Sequence, residues 1–225
     1  MESLQKVRPR CKNSRARLVT KRLAILGASG HGKVVAEIAL ECGWREITFF
    51  DDAWPKLTRN GSFEVVGDTT ALVEQVREFD GIHVAIGNNR VRLEKFEFFR
   101  SHGATLPSLV HPRSAISRFS SLGDGTVVMA DSVVNADSAI ANACILNTGS
   151  TIDHDCTLEE GVHVSPGANV AGGVSIGRLS WIGIGAAVIQ CISIGSNVLV
   201  GAGSVVLSDL PDGIRVAGVP AKSIS

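Results

Sequence analysis

The chain has 225 residues, 44% of them hydrophobic and 20% charged, with 22 basic side chains balanced by 22 acidic ones. A formal charge of zero argues against nucleic acid as a partner of the whole molecule. No apolar run is long enough for a membrane span or a signal-peptide core, so a cytoplasmic protein is expected.

Residues 1–20 carry Lys6, Arg8, Arg10, Lys12, Arg15 and Arg17 against the single acid Glu2, without hydrophobic periodicity. They read as a basic, disordered arm. Arg22–Leu26 is an apolar strand that runs into Gly27-Ala28-Ser29-Gly30-His31-Gly32, and Lys33–Cys42 then carries a helical pattern. Ile47–Phe50 is a second strand ending at Asp51-Asp52, and Ile82–Ile86 is another, ending at Gly87-Asn88-Asn89 before a helix from Val91 to Ser101. Strand, glycine turn, helix, strand and then an acid is the layout of a nucleotide-binding βαβ unit. The helix N-terminus and bare glycine backbone suit a diphosphate, and the acid suits a ribose or base. Ser29 replaces a usual glycine, so a plain tight turn also fits. Residues 21–108 are too few for two mononucleotide halves, which favours one nucleotide of a substrate over a dinucleotide cofactor.

From Ile116 to Val206 every sixth residue is aliphatic, and the residue four places after it is in most cases small, as at Ser132, Ser138, Cys144, Ser150 and Cys156. A helix repeats every three or four residues and an amphipathic strand every two. A period of six instead fits a solenoid of short strands and tight corners, three sides to a coil. Residues eighteen apart then stack at about 4.8 Å, the spacing of neighbouring strands. This gives a domain at residues 109–211 and a tail at 212–225. The five cysteines form no CxxC pair. Cys144 and Cys156 fall in the small interior slot, and free thiols suit a reducing compartment.

His154 is the third residue of its hexad, at an outward corner, with Gly172 stacked one coil later and Ala136 one coil earlier. A base beside a bare amide suits acyl transfer, because one removes the proton of the nucleophile and the other steadies the oxyanion. Asp155 is placed to orient the imidazole. A solvated corner histidine without a role and a metal ligand are the other readings, although no second histidine occurs in that column. His163 opens the next side, and Ile184 and Ala202 stack at a corner suited to a pantetheine arm or to simple packing. His83, His102 and His111 read as structural.

The hexads resemble the left-handed β-helix of hexapeptide acyltransferases, from which the handedness is taken. Gly27–Gly32, Phe49–Asp52, Ala85–Asn89, Asn147–Cys156 and Ala217–Lys222 together resemble the nucleotide-sugar N-acetyltransferases and the related sialic acid O-acetyltransferases. The implied fold is an α/β Rossmann-like nucleotide-binding domain followed by a left-handed parallel β-helix. The implied reaction is acetyl transfer from acetyl-CoA to the 4-amino group of a UDP-linked 4-amino-4,6-dideoxy sugar. In that resemblance His154 is the general base, supported by Asp155. His163, Gly172, Ile184 and Ala202 line the acetyl-CoA site. Ser29, Gly30, His31, Asp51, Asp52 and Gly87 hold the nucleotide, and Asn147 lies near the acceptor. It also implies a homotrimer with sites between subunits, no metal, no nucleic acid and no membrane span. The expected route is direct attack without an acyl-enzyme, since no cysteine neighbours His154 at its corner. The rivals are O-acetylation of a sialic acid, the same reaction on a GDP- or dTDP-linked sugar, and a non-catalytic scaffold.

Overall fold

The computed structural model describes residues 21–224, so the basic arm and Cys11 lie outside the described residues. The chain forms two compact units, the first ending at Leu109 and the second beginning at Val110.

The first unit is built on a five-stranded sheet. β1 (Arg22–Leu26) lies between β2 (Glu46–Phe50) and β5 (Gly81–Val84), and all three run parallel. β4 (Phe63–Gly67) extends the sheet beyond β2, and β3 (Arg59–Asn60) pairs antiparallel with β4 at the edge. The helices are α1 (Gly30–Glu41), α2 (Thr69–Glu74) and α3 (Asn89–Ser101). The interior is apolar on both faces of β1, where Leu23, Ala24 and Ile25 are fully buried with Phe49, Phe50 and Ile82. That is the continuous apolar run expected of a central parallel strand. The periodicity misplaces three element ends by two or three residues and three others by one. α1 begins at Gly30 and α3 at Asn89, because a helix N-terminus tolerates glycine and polar residues. β5 ends two residues before Ile86. The β3–β4 hairpin and α2 are additions, from a stretch too short for a clear period.

The second unit is a triangular coil of short strands in three sheets, parallel throughout except where Lys222–Ser223 pairs antiparallel with Arg215–Ala217. One runs from Ala115–Ile116 to Val205–Val206, a second from Ser121–Leu122 to Ser193–Ile194, and the third from Leu109–Val110 to Lys222–Ser223. Register is constant, with Thr151 on Asn169, Thr157 on Ser175 and His163 on Trp181. Aliphatic residues Ile140, Leu146, Ile152, Val164, Ile176 and Ile182 fill the axis. The small slot has a second purpose besides volume. Ser132 Oγ donates to Asn147 O at 2.7 Å, Ser138 Oγ to Asp153 O at 2.6 Å, and Ser180 Oγ to Gly195 O at 2.7 Å. Cys156 Sγ takes the same place against Ala171 O at 3.2 Å. At these positions the side chain donates to a corner carbonyl fifteen residues on, whereas other hexads fill the slot with apolar residues such as Val162, Ala168, Val174 and Ala186. Glu159 and Glu160, which depart from the usual hexad, bind Arg178 through its backbone N–H and its guanidinium. Arg215–Ala217 continues the third sheet in parallel with Leu199–Val200.

Candidate active site

In the first unit β1 is the point where the strand order reverses, and in such sheets ligands bind beyond the carboxyl ends there. Gly27 leaves β1 with φ +112°, and a Cβ on it would meet Ala85 O at 2.6 Å. A Cβ on Gly32 would strike Gly27 O, so this glycine lets α1 sit on the turn. Gly30 meets nothing within 4 Å and is exposed, as is Ser29. Ser29 is the N-cap of α1, yet its hydroxyl caps nothing. Of the predicted diphosphate cradle, Ser29 and Gly30 therefore present open groups at a helix N-terminus. Gly87 is half-exposed at the end of the adjoining turn, and its carbonyl accepts from buried Arg92 at 3.2 Å.

The acid pair is already engaged. Asp51 Oδ2 accepts from Ala28 N at 2.7 Å and its Oδ1 from Ala53 N at 2.9 Å, which braces the glycine turn. Asp52 accepts from Thr69 N at 2.9 Å and pairs with Lys95 Nζ at 3.2 Å. Partial burial pushes the Asp52 carboxyl up, but the Thr69 hydrogen bonds and Lys95 outweigh it and hold it below its ordinary range. Asn60, whose Nδ2 donates to Ser29 O at 3.1 Å, joins Arg92, Lys95 and Thr69 at this edge, and none of the four occupies a recognisable motif.

His31 and His83 lie together beneath this edge. Burial, with the nearby Arg92 charge, lowers both to about 4. His83 Nδ1 faces Pro107 O at 3.1 Å, while among the described residues Nε2 of each ring has no partner. Below 6.5 the unfolded chain takes up a proton at each imidazole, and the folded unit does not until about pH 4. Stability is thus full above pH 6.5 and lost as pH falls towards 4, by about 2 kcal/mol per histidine at pH 5. Hydrogen exchange of the β1 amides at pH 7 and pH 5 checks this, and His31→Gln should remove about half of the loss.

In the second unit His154 stands on an exposed corner. Asp155 follows with φ +57°, a left-handed conformation that Asp tolerates better than most residues. Its Oδ2 lies 2.7 Å from His154 Nδ1. Nδ1 donates there, leaving Nε2 with a lone pair. The Asp155 hydrogen bond, then the Asp153 charge, raise the imidazole above its ordinary value. The ring lies on Gly172, where a Cβ would be 2.6 Å from His154 Cε1 and 2.7 Å from Nε2.

At the third hexad position the backbone N–H has no ladder acceptor, and at some corners a side chain caps it. Asn142 Oδ1 caps Asp124 N, Asn147 Oδ1 caps Thr148 N, Asp153 Oδ1 caps His154 N, and Asp212 Oδ1 caps Ser196 N. Gly172 follows Ala171, which has no acceptor to offer. Among the described residues its N–H has no partner. A base with a free lone pair thus adjoins an uncommitted amide donor, the pair that acyl transfer requires.

A family model described as the PglD N-terminal domain matches residues 22–99. UDP-N-acetylbacillosamine N-acetyltransferase of Bacillus subtilis (strain 168) is 37% identical over 113 residues, which are 49% of this chain and 52% of that protein. The chain thus matches about half the length of that curated relative. The acetyltransferase domain of PglB from Neisseria gonorrhoeae FA1090, solved in complex with acetyl coenzyme A, is 45% identical with a TM-score of 0.87, covering 91% of this chain and all of that one. PerB from Caulobacter crescentus, in complex with CoA and GDP-perosamine, is 39% identical with a TM-score of 0.87, covering 93% and 100%. The chain belongs to the nucleotide-sugar N-acetyltransferases of the hexapeptide-repeat family.

As in that family, its coil is a left-handed β-helix. The remaining expected residues of this family member fall into two groups on the coil. Ile184 and Ala202 are exposed at one stacked corner, joined by Gly203 N to Ile184 O at 2.7 Å. Asn147 Nδ2 lies 3.2 Å from His163 Nε2, and His163 is buried beneath Trp181, the rings stacked at 4.6 Å. His163 is therefore held in a packed cluster, not presented at an open corner. Cys156 is interior, and burial pushes its thiol up. Cys191 is an exposed corner residue in the column of Asp155 and Gly173, two coils beyond Asp155. No described helix is long and apolar enough to cross a membrane.

Proposed function

We propose that this chain is an acetyl-CoA-dependent N-acetyltransferase acting on the 4-amino group of a UDP-linked 4-amino-4,6-dideoxy sugar. The observation that carries the reading is the imidazole of His154, pinned through Nδ1 by Asp155 and laid against Gly172, a residue whose N–H is uncommitted. His154 Nε2 takes the proton as the neutral amine attacks the thioester carbonyl, and the Gly172 N–H receives the oxyanion. The amine nitrogen gains the acetyl group, CoA leaves as its thiolate, and the imidazolium returns the proton to it. Ser29, Gly30, His31, Asp51, Asp52 and Gly87 hold the nucleotide, while His163, Ile184 and Ala202 take the acetyl-CoA and Asn147 the acceptor. The two acids act chiefly by bracing the turns that bind, since their oxygens already serve backbone and Lys95. No metal is required.

The same reading makes the molecule a cytoplasmic homotrimer with acetyl-transfer sites between subunits, supported by Phe119, Ile184 and Leu207, large apolar side chains exposed on the coil. Light scattering at a series of concentrations tests the trimer.

A GDP-linked sugar is the second reading, because PerB at 39% identity was solved with GDP-perosamine. Thiol release from acetyl-CoA with UDP-, GDP- and dTDP-linked 4-amino sugars decides between bases. The expected outcome is a preference for the UDP sugar, with Asp52→Ala raising its KM about tenfold and leaving that of acetyl-CoA unchanged. Turnover of a sialic acid, or of none of these acceptors, would displace the proposal in favour of O-acetylation or a scaffold.

A further inference from the structure

We infer that Asn135 and Asp153 form a positioning pair that fixes the corner carrying His154 and sets the electrostatic surroundings of its ring, an inference that rests on His154 being the base. The two residues share a column, one coil apart. Asp153 Oδ1 receives two hydrogen bonds at once, from Asn135 Nδ2 at 2.8 Å and from His154 N at 2.8 Å. The second of these caps the corner amide that the ladder leaves without an acceptor. The first holds the capping oxygen from the preceding coil, so its direction is set by a neighbour one strand spacing away. Ser138 Oγ binds the carbonyl of the same Asp153 at 2.6 Å. The peptide entering His154 is therefore tied at its carbonyl, its side-chain oxygen and its N–H, which directs the Cα–Cβ bond towards Gly172. Such three-point support is what a residue on an exposed corner needs if its ring is to keep one orientation.

The pair also acts through charge. Asn135 and the preceding backbone N–H bond of His154 hold the Asp153 carboxyl below its ordinary range, so it is ionised throughout the working pH range. Its charge raises the imidazole alongside the Asp155 hydrogen bond. Ala136 on the coil before and Gly172 on the coil after bring no charge, Asp137 stacks one coil before Asp155 on the same corner, and Asp155 and Asp153 are the carboxylates that raise the ring. Asp155 holds Nδ1 directly. Asp153 never reaches the ring's nitrogens, and its effect passes through the backbone and through space.

Two substitutions separate the roles. Asp153→Asn keeps an oxygen that can cap His154 N but removes the charge, whereas Asn135→Ala keeps the charge and removes the tether. The test follows the His154 ring signals by NMR across a pH titration, in parallel with the pH dependence of kcat. In Asp153→Asn the His154 titration should move to lower pH, and the acid limb of kcat should move with it, while KM for acetyl-CoA stays within about twofold. In Asn135→Ala, kcat should fall about tenfold, and the ring signals should broaden or shift without that change in titration. Asp153→Ala, which loses cap and charge together, should be the slowest, with Asp153→Asn intermediate. An unmoved His154 titration in Asp153→Asn, or an Asn135→Ala enzyme as fast as the parent, overturns the pairing. If His154→Gln were fully active while the titration still moved, the base assignment would fall and the pairing would stand.

Discussion

His154→Gln should lower kcat by about 10²- to 10⁴-fold, the range expected when a positioned proton acceptor is removed, with little change in acetyl-CoA affinity. Glutamine preserves bulk on an exposed corner, so the coil should keep its melting temperature. The His154 backbone makes its corner bonds through Asp153 and Gly173, which the side-chain change leaves intact. The pH profile carries a second expectation. Because Asp155 and then Asp153 raise the imidazole, its proton-accepting form is lost on acidification at a pH above the ordinary histidine value. The acid limb of kcat should therefore lie above 6.5, the ordinary value. In Asp155→Asn it should move to lower pH with a lower plateau, since the ring loses both a charge and its orientation. Full turnover in His154→Gln would remove this residue as the base.

Gly172→Ala should be nearly as damaging, for a reason visible only in three dimensions. Gly172 does not use a left-handed backbone, so alanine meets no conformational obstacle there. The added methyl, however, would sit 2.6–2.7 Å from Cε1 and Nε2 of His154. No real Cβ lies that close to a ring, so the imidazole must rotate away, and the Nε2 lone pair leaves the open amide. Loss of about a hundredfold or more in kcat is expected, comparable to removing an oxyanion donor. The KM for the nucleotide sugar should hold. The two changes should also be non-additive, because both act on one imidazole. Gly172→Ala in the His154→Gln background should cost less than threefold. Additive losses would mean that the methyl acts elsewhere, and a fully active Gly172→Ala would separate the two groups functionally.

Much of this corner was legible before any coordinates. A coil with three sides of six residues makes stacking an arithmetic matter, and eighteen separates His154 from Gly172 as it separates Asn135 from Asp153. The interior slot was equally legible in size, though not in chemistry. That Ser138 and Cys156 hold corner carbonyls depends on a bond to a residue fifteen places on, which the hexad does not announce. Two of the third-position caps are readable in principle, because Asp153 and Asn147 precede the corners they cap, whereas Asn142 and Asp212 reach theirs from another coil. Their meaning emerges only when the ladder is seen to skip those N–H groups.

The first unit was less transparent. Its glycine turn, second-strand acids and third-strand turn could be placed at one sheet edge from strand order alone. Which glycine is open and which is packed could not. Gly32 is required by contact with Gly27 O and Gly30 by nothing within 4 Å, although both read alike as letters. Asp51 and Asp52 advertise a ligand in sequence, yet the fold uses them to hold Ala28, Thr69 and Lys95.

By itself the amino-acid order determined the prism, its register and the partners along each edge, because a strict period converts sequence separation directly into distance. Tertiary structure alone decided which side chains are spent on the scaffold and which groups stay uncommitted. Those outcomes turn on contacts between residues that no repeat relates, such as His31 with His83 or His163 with Asn147.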